Sequence, residues 1–324
     1  MSFVALLIAL LLEQIKPLAS GHSLEQGFLH WADWLKLNLD TGDVRHGWTA
    51  WGVAVGLPCV LVVVVHWWLF WSIGWMFAML WSLGVVYVTL GFRRFSHHFT
   101  GIRDALAAGD DMLARELLRD WQGASDVTMS RSEIIRHVIE FSAIAAHRHV
   151  FGVVVWFCVL AALGLGPMGA LLFRLSALLS KSWADQPVAN DNDISQTSEA
   201  LQQVAARAWY WVDWLPARLT ALSFAVVGNF EDAVDAWRQE AGYFPQPNDG
   251  VVLAATAGAI NVRLGGVSLQ DTTTVAETPD NVVQPTAGKQ AEFSHLRSMV
   301  GLVWRAVVMW MVLLALLTLA RLLG

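Results

Sequence analysis

Charge is scarce in this sequence. Only 15% of its 324 residues are Asp, Glu, Lys or Arg, against about 25% in an ordinary soluble chain, a shortfall that excludes a soluble globular enzyme. Cysteine is scarcer still. Cys59 and Cys158 both lie in apolar runs, so neither a disulfide framework nor a zinc site can be built from them, and both read as small buried hydrophobes. A formal net charge of -6 leaves no basic face and excludes a nucleic-acid partner. There is no P-loop, no Gly-x-Ser-x-Gly element, no Cys-x-x-Cys pair and no internal repeat. Gly164-Leu-Gly166-Pro-Met-Gly169 formally matches a dinucleotide fingerprint. It interrupts an apolar run instead of joining a strand to a helix, and it reads as a helix break.

What is present in abundance is apolar surface and tryptophan: 56% hydrophobic residues and 18 Trp against 3 Tyr. A helix needs about 20 mostly apolar residues to cross the hydrocarbon core. Trp48 to Trp71, Ile73 to Phe92 and Met299 to Leu323 meet that requirement. Val150 to Leu172 is apolar but broken by its Gly/Pro stretch, and Trp209 to Val227 carries Asp213, Pro216 and Arg218. The first twelve residues are too short to span alone and lack the features of a cleaved signal. The expected fold is therefore all-α: a polytopic membrane helical bundle with about four to five spans plus amphipathic cytoplasmic helices. Trp clusters at 48/51, 67/68/71, 209/211 and 304/310 suit either membrane-interface belts or core packing.

Arg93, Arg94, Arg103, Arg115, Arg119, Arg131, Arg136 and Arg148 make residues 93–149 the densest basic stretch. By the positive-inside rule this segment is cytoplasmic, with a bacterial inner membrane as the expected location. The organisation then follows. Residues 1–47 are an N-terminal apolar helix and polar segment, 48–92 a transmembrane hairpin, and 93–149 a cytoplasmic helical segment. Residues 150–266 are a core with broken membrane helices, 267–298 a flexible linker, and 299–324 the last span. Within these, 101–122 reads as two short helices parted at Gly109-Asp-Asp, and 185–199 as a polar loop. Glu231 to Gly242 reads as an amphipathic helix with Val234 and Trp237 on its apolar side. Ser130-Arg-Ser-Glu133 reads as a capping box opening a helix to about Arg148.

That helix carries the most suggestive constellation. Glu133, His137, Glu140 and His147 are spaced to share one face, and His137, Glu140 and His147 form a candidate metal set. A solvated face of local ion pairs, Arg136 among them, is the alternative. His66 lies within an apolar span, where an ionisable side chain is a functional candidate or sits at the interface. Arg218, in Trp214-Leu-Pro-Ala-Arg-Leu, needs an anion, a carboxylate or water beside it, and Pro216 frees a backbone carbonyl one turn earlier. Arg218, Asn248 and Arg263 are expected to converge on a phosphate or carboxylate, whose geometry the Arg fork matches.

Trp214-Leu-Pro-Ala-Arg-Leu, Ala236-Trp237-Arg238 through Pro247-Asn248-Asp-Gly250, and Ala257-Gly-Ala-Ile-Asn-Val-Arg-Leu-Gly-Gly266 resemble the CobD/CbiB family of cobalamin biosynthesis. The likeness runs over roughly 130–266 and is most specific over 209–266. It implies a multispanning membrane enzyme that joins adenosylcobyric acid to aminopropanol or its phosphate, an amide-forming step using ATP and Mg²⁺. It implies anionic-substrate binding by Arg218, Asn248 and Arg263, and leaves the carboxylate role to Glu140 and Glu133. The chain departs from the family where an acidic-Asn-x-x-Asp element is replaced by His147-Arg-His-Val-Phe151, and where a pair of aspartates is replaced by Trp209-Tyr-Trp. The early Asp-Pro and His-Pro signature is also missing. These changes remove the anionic metal ligands that such a ligase uses. The chain is also similar to the AmpE group in Leu11-Leu-Glu-Gln-Ile-Lys16, in Val212-Asp-Trp-Leu-Pro-Ala-Arg-Leu, and in its apolar end. That likeness implies a non-catalytic membrane sensor or accessory protein in signalling. The partners expected on these grounds are the lipid bilayer, and a corrinoid substrate or other membrane proteins.

Overall fold

A computed structural model describes residues 2–15, 23–122, 129–184, 197–266 and 284–323. Fourteen α-helices account for most of these: α1 (Ser2–Ile15), α2 (Ser23–Leu39), α3 (Val44–Trp51), α4 (Leu57–Ser72), α5 (Trp75–Thr89), α6 (Phe92–Ala107), α7 (Asp111–Gln122), α8 (Arg131–Ala146), α9 (Gly152–Ala162), α10 (Met168–Ala184), α11 (Glu199–Val227), α12 (Phe230–Glu240), α13 (Pro247–Ile260) and α14 (Phe293–Leu323). Short π segments, Gly52–Gly56 and His147–Phe151, link α3 to α4 and α8 to α9. Among the described residues there is no strand, only an isolated bridge between Val262 and Lys289.

Three helices are long and apolar enough to cross a membrane: Val44–Ser72, Arg131–Ala162 and Phe293–Ala320. The chain is an integral membrane protein. Val4–Glu13 and Trp75–Thr89 are shorter apolar helices. The expected span at Ile73–Phe92 is the 15-residue α5, about 22 Å long at 1.5 Å per residue, against a hydrocarbon core of about 30 Å. The expected linker at 267–298 and the polar loop at 185–199 fall largely on 267–283 and 185–196, which lie outside the described residues, as does Lys16. The side chains of Arg93 and Arg94 lie outside them too.

The chain divides into two compact units, residues 1–91 with 148–216 and residues 92–147 with 217–324. In the first unit α4 and α5 form the expected hairpin, closed at Gly74, whose φ of 123° a side chain would resist. Trp81 Nε1 donates to the Val62 carbonyl at 3.2 Å, and the Ser82 hydroxyl lies 3.3 Å from His66 Nδ1. His66 is thus bonded across the hairpin. The 164–169 stretch is the expected break, and it reverses the chain into a second hairpin, α9–α10. There a Cβ on Gly169 would stand 1.9 Å from the Trp156 carbonyl oxygen, so only glycine permits the approach. Trp156 has a second duty. Pro216 lies inside α11 and, lacking an N–H, leaves the Val212 carbonyl without its helical donor; Trp156 Nε1 supplies one at 2.8 Å. The polar notch expected before Pro216 is therefore filled by an indole. A core of Ala32, Leu35, Ala50, Ala54, Val55, Cys59, Leu175, Leu179, Trp183, Leu201 and Ala205 joins α2, α3, α4, α10 and α11.

Asp40, just past α2, receives the Ser198 hydroxyl on one oxygen and the Ser198 N–H, at 2.9 Å, on the other. Burial pushes this carboxyl pKa up and is the largest single influence. The bonds from the Ser198 side chain and backbone and from Gly42, with the charge of Lys36, together outweigh it and hold the value below the usual 3.8.

In the second unit α6 and α7 are the two short helices expected, parted at Gly109. Ser130 and Glu133 form the capping box of α8. The amphipathic helix expected at 231–242 is α12, with Trp237 against the core of Ala221, Val251 and Ala255. α12 lies on α13 so closely that a Cβ on Gly258 would stand 2.3 Å from the Asp232 carbonyl oxygen.

Replacing Trp156 by Phe keeps an aromatic ring and removes the donor, leaving a part-buried carbonyl without it at a cost of about 1 kcal/mol. Thermal unfolding in detergent should show a matching loss, whereas Trp156→Phe combined with Pro216→Ala should recover most of it. An Asp40→Asn variant tests the second joint. A depressed carboxyl pKa contributes stability above the ordinary value and loses it as pH falls through the folded value. The variant should be less stable than the native protein near pH 6, and the gap should close as pH drops below 3.8.

Candidate functional site

The candidate residues lie in the second unit. Pro247 opens α13, and Asn248, buried in its first turn, accepts a hydrogen bond from Arg218 Nη1 at 3.1 Å. The guanidinium thus stands at a helix N-terminus, where unpaired N–H groups and the helix dipole favour an anion.

Arg263 is elsewhere. It follows the far end of α13, where Asn261 takes the left-handed conformation as C-cap. About 18 Å of helix axis separates Asn248 from Ile260, at 1.5 Å per residue. The three residues expected to converge on one small anion are therefore a pair and an outlier: Arg218 with Asn248, and Arg263 exposed at the opposite end.

The carboxylate and imidazole candidates on α8 have other duties. Glu140 Oε1 accepts from Arg136 Nη1 at 3.1 Å and from the Gly265 N–H at 2.7 Å. Its Oε2 lies 3.3 Å from His137 Nδ1. Arg136 Nη1 also donates to the Gly265 carbonyl at 2.5 Å, and Nη2 lies 3.0 Å from His137 Nε2. Since an Arg only donates, Nε2 is the acceptor in that contact, and Nδ1 faces Glu140. This closed ring clasps both peptide groups of Gly265 to α8. It is nearly buried, with the Arg136 and Glu140 side chains 12% and 14% exposed.

His147, fully buried, pairs instead with Thr220, Nδ1 to Oγ1 at 2.9 Å. The set His137, Glu140 and His147 is thus divided between two networks. Among the described residues no three His, Cys, Asp or Glu side chains gather as a metal site. Glu133, exposed at the α8 N-terminus, accepts the Ser130 N–H at 2.7 Å and the Ser130 hydroxyl at 2.8 Å, the work of a cap. The Mg²⁺ that the resemblance implies finds no donor set among these described residues.

Arg136 pairs with Glu140 as the local ion-pair alternative expects, and two other partners are not given by the sequence. Thr220 carried no signal. In the first unit Arg174 Nη1 meets His149 Nδ1 at 3.0 Å and Nη2 lies 3.6 Å from Glu25; a lone Arg in the apolar run 168–180 was the available clue.

A family model described as CobD/Cbib protein matches residues 3–303. The chain belongs to the CobD/Cbib family. It is 28% identical over 272 residues to the cobalamin biosynthesis protein CobD of Stutzerimonas stutzeri, covering 83% of this chain and 81% of that one. It is 34% identical over 185 residues to the CobD of Chromobacterium violaceum, covering 57% and 55%. Over 67 residues, 19% of this chain and 21% of the relative, it is 46% identical to the CobD of Mycobacterium tuberculosis. No solved structure matches. These CobD relatives give the AmpE-like alternative no support.

The clasp makes a prediction of its own. Glu140→Ala removes the carboxylate from beside the nearly buried Arg136, a loss of about 3 kcal/mol, and takes the acceptor from the Gly265 amide. Hydrogen exchange should accelerate over 262–266 in that variant and much less in Glu140→Gln, which keeps an acceptor.

Proposed function

We propose that this protein serves cobalamin biosynthesis as a multi-pass protein of the bacterial inner membrane, with the polar part of 93–149, ahead of the apolar part of the helix Arg131–Ala162, on the cytoplasmic side. In this proposal it joins the carboxyl of adenosylcobyric acid to the amine of aminopropanol or its phosphate. The observation that carries it is the family match over residues 3–303. The bonded pair Arg218–Asn248 supports it further, because it places a guanidinium at the opening of α13, where it would take the phosphate or carboxylate of a substrate. In that role Arg218 holds and orients the anionic group while Asn248 fixes the guanidinium plane. ATP enters by family resemblance alone: the nucleotide would supply the activation that turns a carboxylate into an acyl donor. Arg263, beyond the other end of α13, would meet a different group of the same large substrate.

Complementation of a strain lacking the synthase, on medium where growth requires corrinoid assembly, tests the proposal. The native chain should restore growth, and Arg218→Ala should reduce it sharply with membrane expression unchanged. Arg263→Ala should weaken output independently, so the two losses measured on corrinoid yield should add in the double variant. Absence of rescue by well-expressed native protein would remove the assignment.

A further inference from the structure

From Trp67 to Phe92 there is no Asp, Glu, Lys or Arg, so the α4–α5 hairpin reverses at Ser72–Gly74 without a charged loop. Every residue from Phe70 to Phe77 except Gly74 is nevertheless exposed, Trp71 by 77%. The α9–α10 hairpin reverses in the same way. Val150 to Phe173 carries no charged residue, and Leu163 at its turn is 71% exposed. The two reversals lie together: a Cβ on Gly166 would stand 2.7 Å from the His66 ring, and one on Gly164 would stand 3.8 Å from the Trp67 ring. Charge returns only toward the other ends of these helices, with Asp43 and Arg45 at the start of α3 and Lys181 in the last turn of α10.

Three constraints fix what surrounds the paired reversals. Trp67, Trp68, Phe70, Trp71, Trp75 and Phe77 are all exposed by 40% or more, and a contiguous apolar patch of that kind is seldom left in water. The main chain excludes hydrocarbon. The first N–H groups of α5 have no acceptor within their own helix, and Gly74, its N-cap, brings no side-chain bond to them, so they require water or a lipid headgroup. Length supplies the third constraint. The span Val44–Ser72 is continuous, and the rise from Trp48 to Trp68 is about 30 Å, the thickness of the hydrocarbon core. Ser72 is one helical turn beyond Trp68, about 6 Å further along, which ends the hairpin inside the headgroup layer.

We infer that the reversals at Ser72–Gly74 and Leu163–Pro167 form an uncharged end of the first unit, seated at the headgroup–acyl boundary of one leaflet, and that lipid covers it. This surface continues the lipid-facing surface of the span Val44–Ser72, at the depth where an amphipathic indole is most stable. Of the two settings that the tryptophans at 67, 68 and 71 suit, interface and core, their exposure selects the interface. Neither hairpin offers a loop to the water.

Nitroxide labels report the surroundings directly. In a Cys59→Ala/Cys158→Ala background, Trp71→Cys, Trp75→Cys and Leu163→Cys would each be labelled in the full-length protein and reconstituted into phosphatidylcholine–phosphatidylglycerol vesicles. Val60→Cys, exposed within the span, is the hydrocarbon reference, and Ala108→Cys, exposed beside Gly109, is the aqueous one. Collision rates with oxygen and with a water-soluble nickel chelate would be compared. At 71 and 75 nickel access should fall severalfold below that at 108, and the preference for oxygen should stay below that at 60. At 163 nickel access should be no higher than at 71. Nickel access at 71 and 75 equal to that at 108 overturns the inference, because the hairpin then emerges into water. An oxygen preference there equal to that at 60 overturns it too, because the turn then lies in hydrocarbon. Shielding from both reagents overturns it as well, because protein, such as a second copy, then covers the end. Higher nickel access at 163 than at 71 overturns the joint seating of the two reversals.

Discussion

A peptide group in hydrocarbon has no water to bond, so each one must be satisfied by the protein itself. Regular helix meets this condition throughout its length, and the interest of this molecule lies where the helix fails. Pro216 strips the Val212 carbonyl of its donor, and the Trp156 indole replaces it. The chain reverses at 164–169 because glycine tolerates left-handed backbone and lets α10 close on α9. After α13 the backbone leaves helical geometry, and side chains of α8 take up its N–H and C=O groups. Each irregularity is matched to a particular side chain, and those side chains are thereby withdrawn from other uses.

This withdrawal decides how the candidate site reads. The acid, the imidazole and the guanidinium that share one face of α8 look like chemistry in one dimension. In three dimensions they form a closed ring around Gly265, and a carboxylate with three donors on it has little capacity left for a cation. In the proposal above the group that meets the substrate is Arg218, bonded to Asn248 at the opening of α13, while His147 is bonded to Thr220 in the interior.

Much of the architecture was legible beforehand. Long apolar blocks, the Gly/Pro break, the Ser130–Glu133 cap and the amphipathic α12 each rest on local chemistry, and local chemistry is readable along the chain. Span lengths were less so: α5 ends at Thr89 rather than Phe92, because apolar composition does not say where helical bonding stops. The grouping of Arg218, Asn248 and Arg263 failed for a related reason. Asn248 and Arg263 are fifteen residues apart, and only knowing that α13 is an unbroken helix between them shows that they sit at opposite ends. Thr220 as partner to His147, and the indole answering Pro216, are pairings across 73 and 56 residues. No periodicity encodes such distances.

The segment around the Val262–Lys289 bridge has a further property. Two extended stretches lie side by side, the beginning of a sheet among described residues that are otherwise mostly helical. Nearly every main-chain group there is already engaged: Arg263 N–H with Lys289, Leu264 N–H with the Thr286 hydroxyl, Thr286 N–H with Leu264, and both groups of Gly265 with α8. An unoccupied edge would be a template for another chain, and exposed edges of that kind nucleate aggregates. Here side chains of α8 take both groups of Gly265 after a single rung, so this bridge is sealed against recruiting a neighbour.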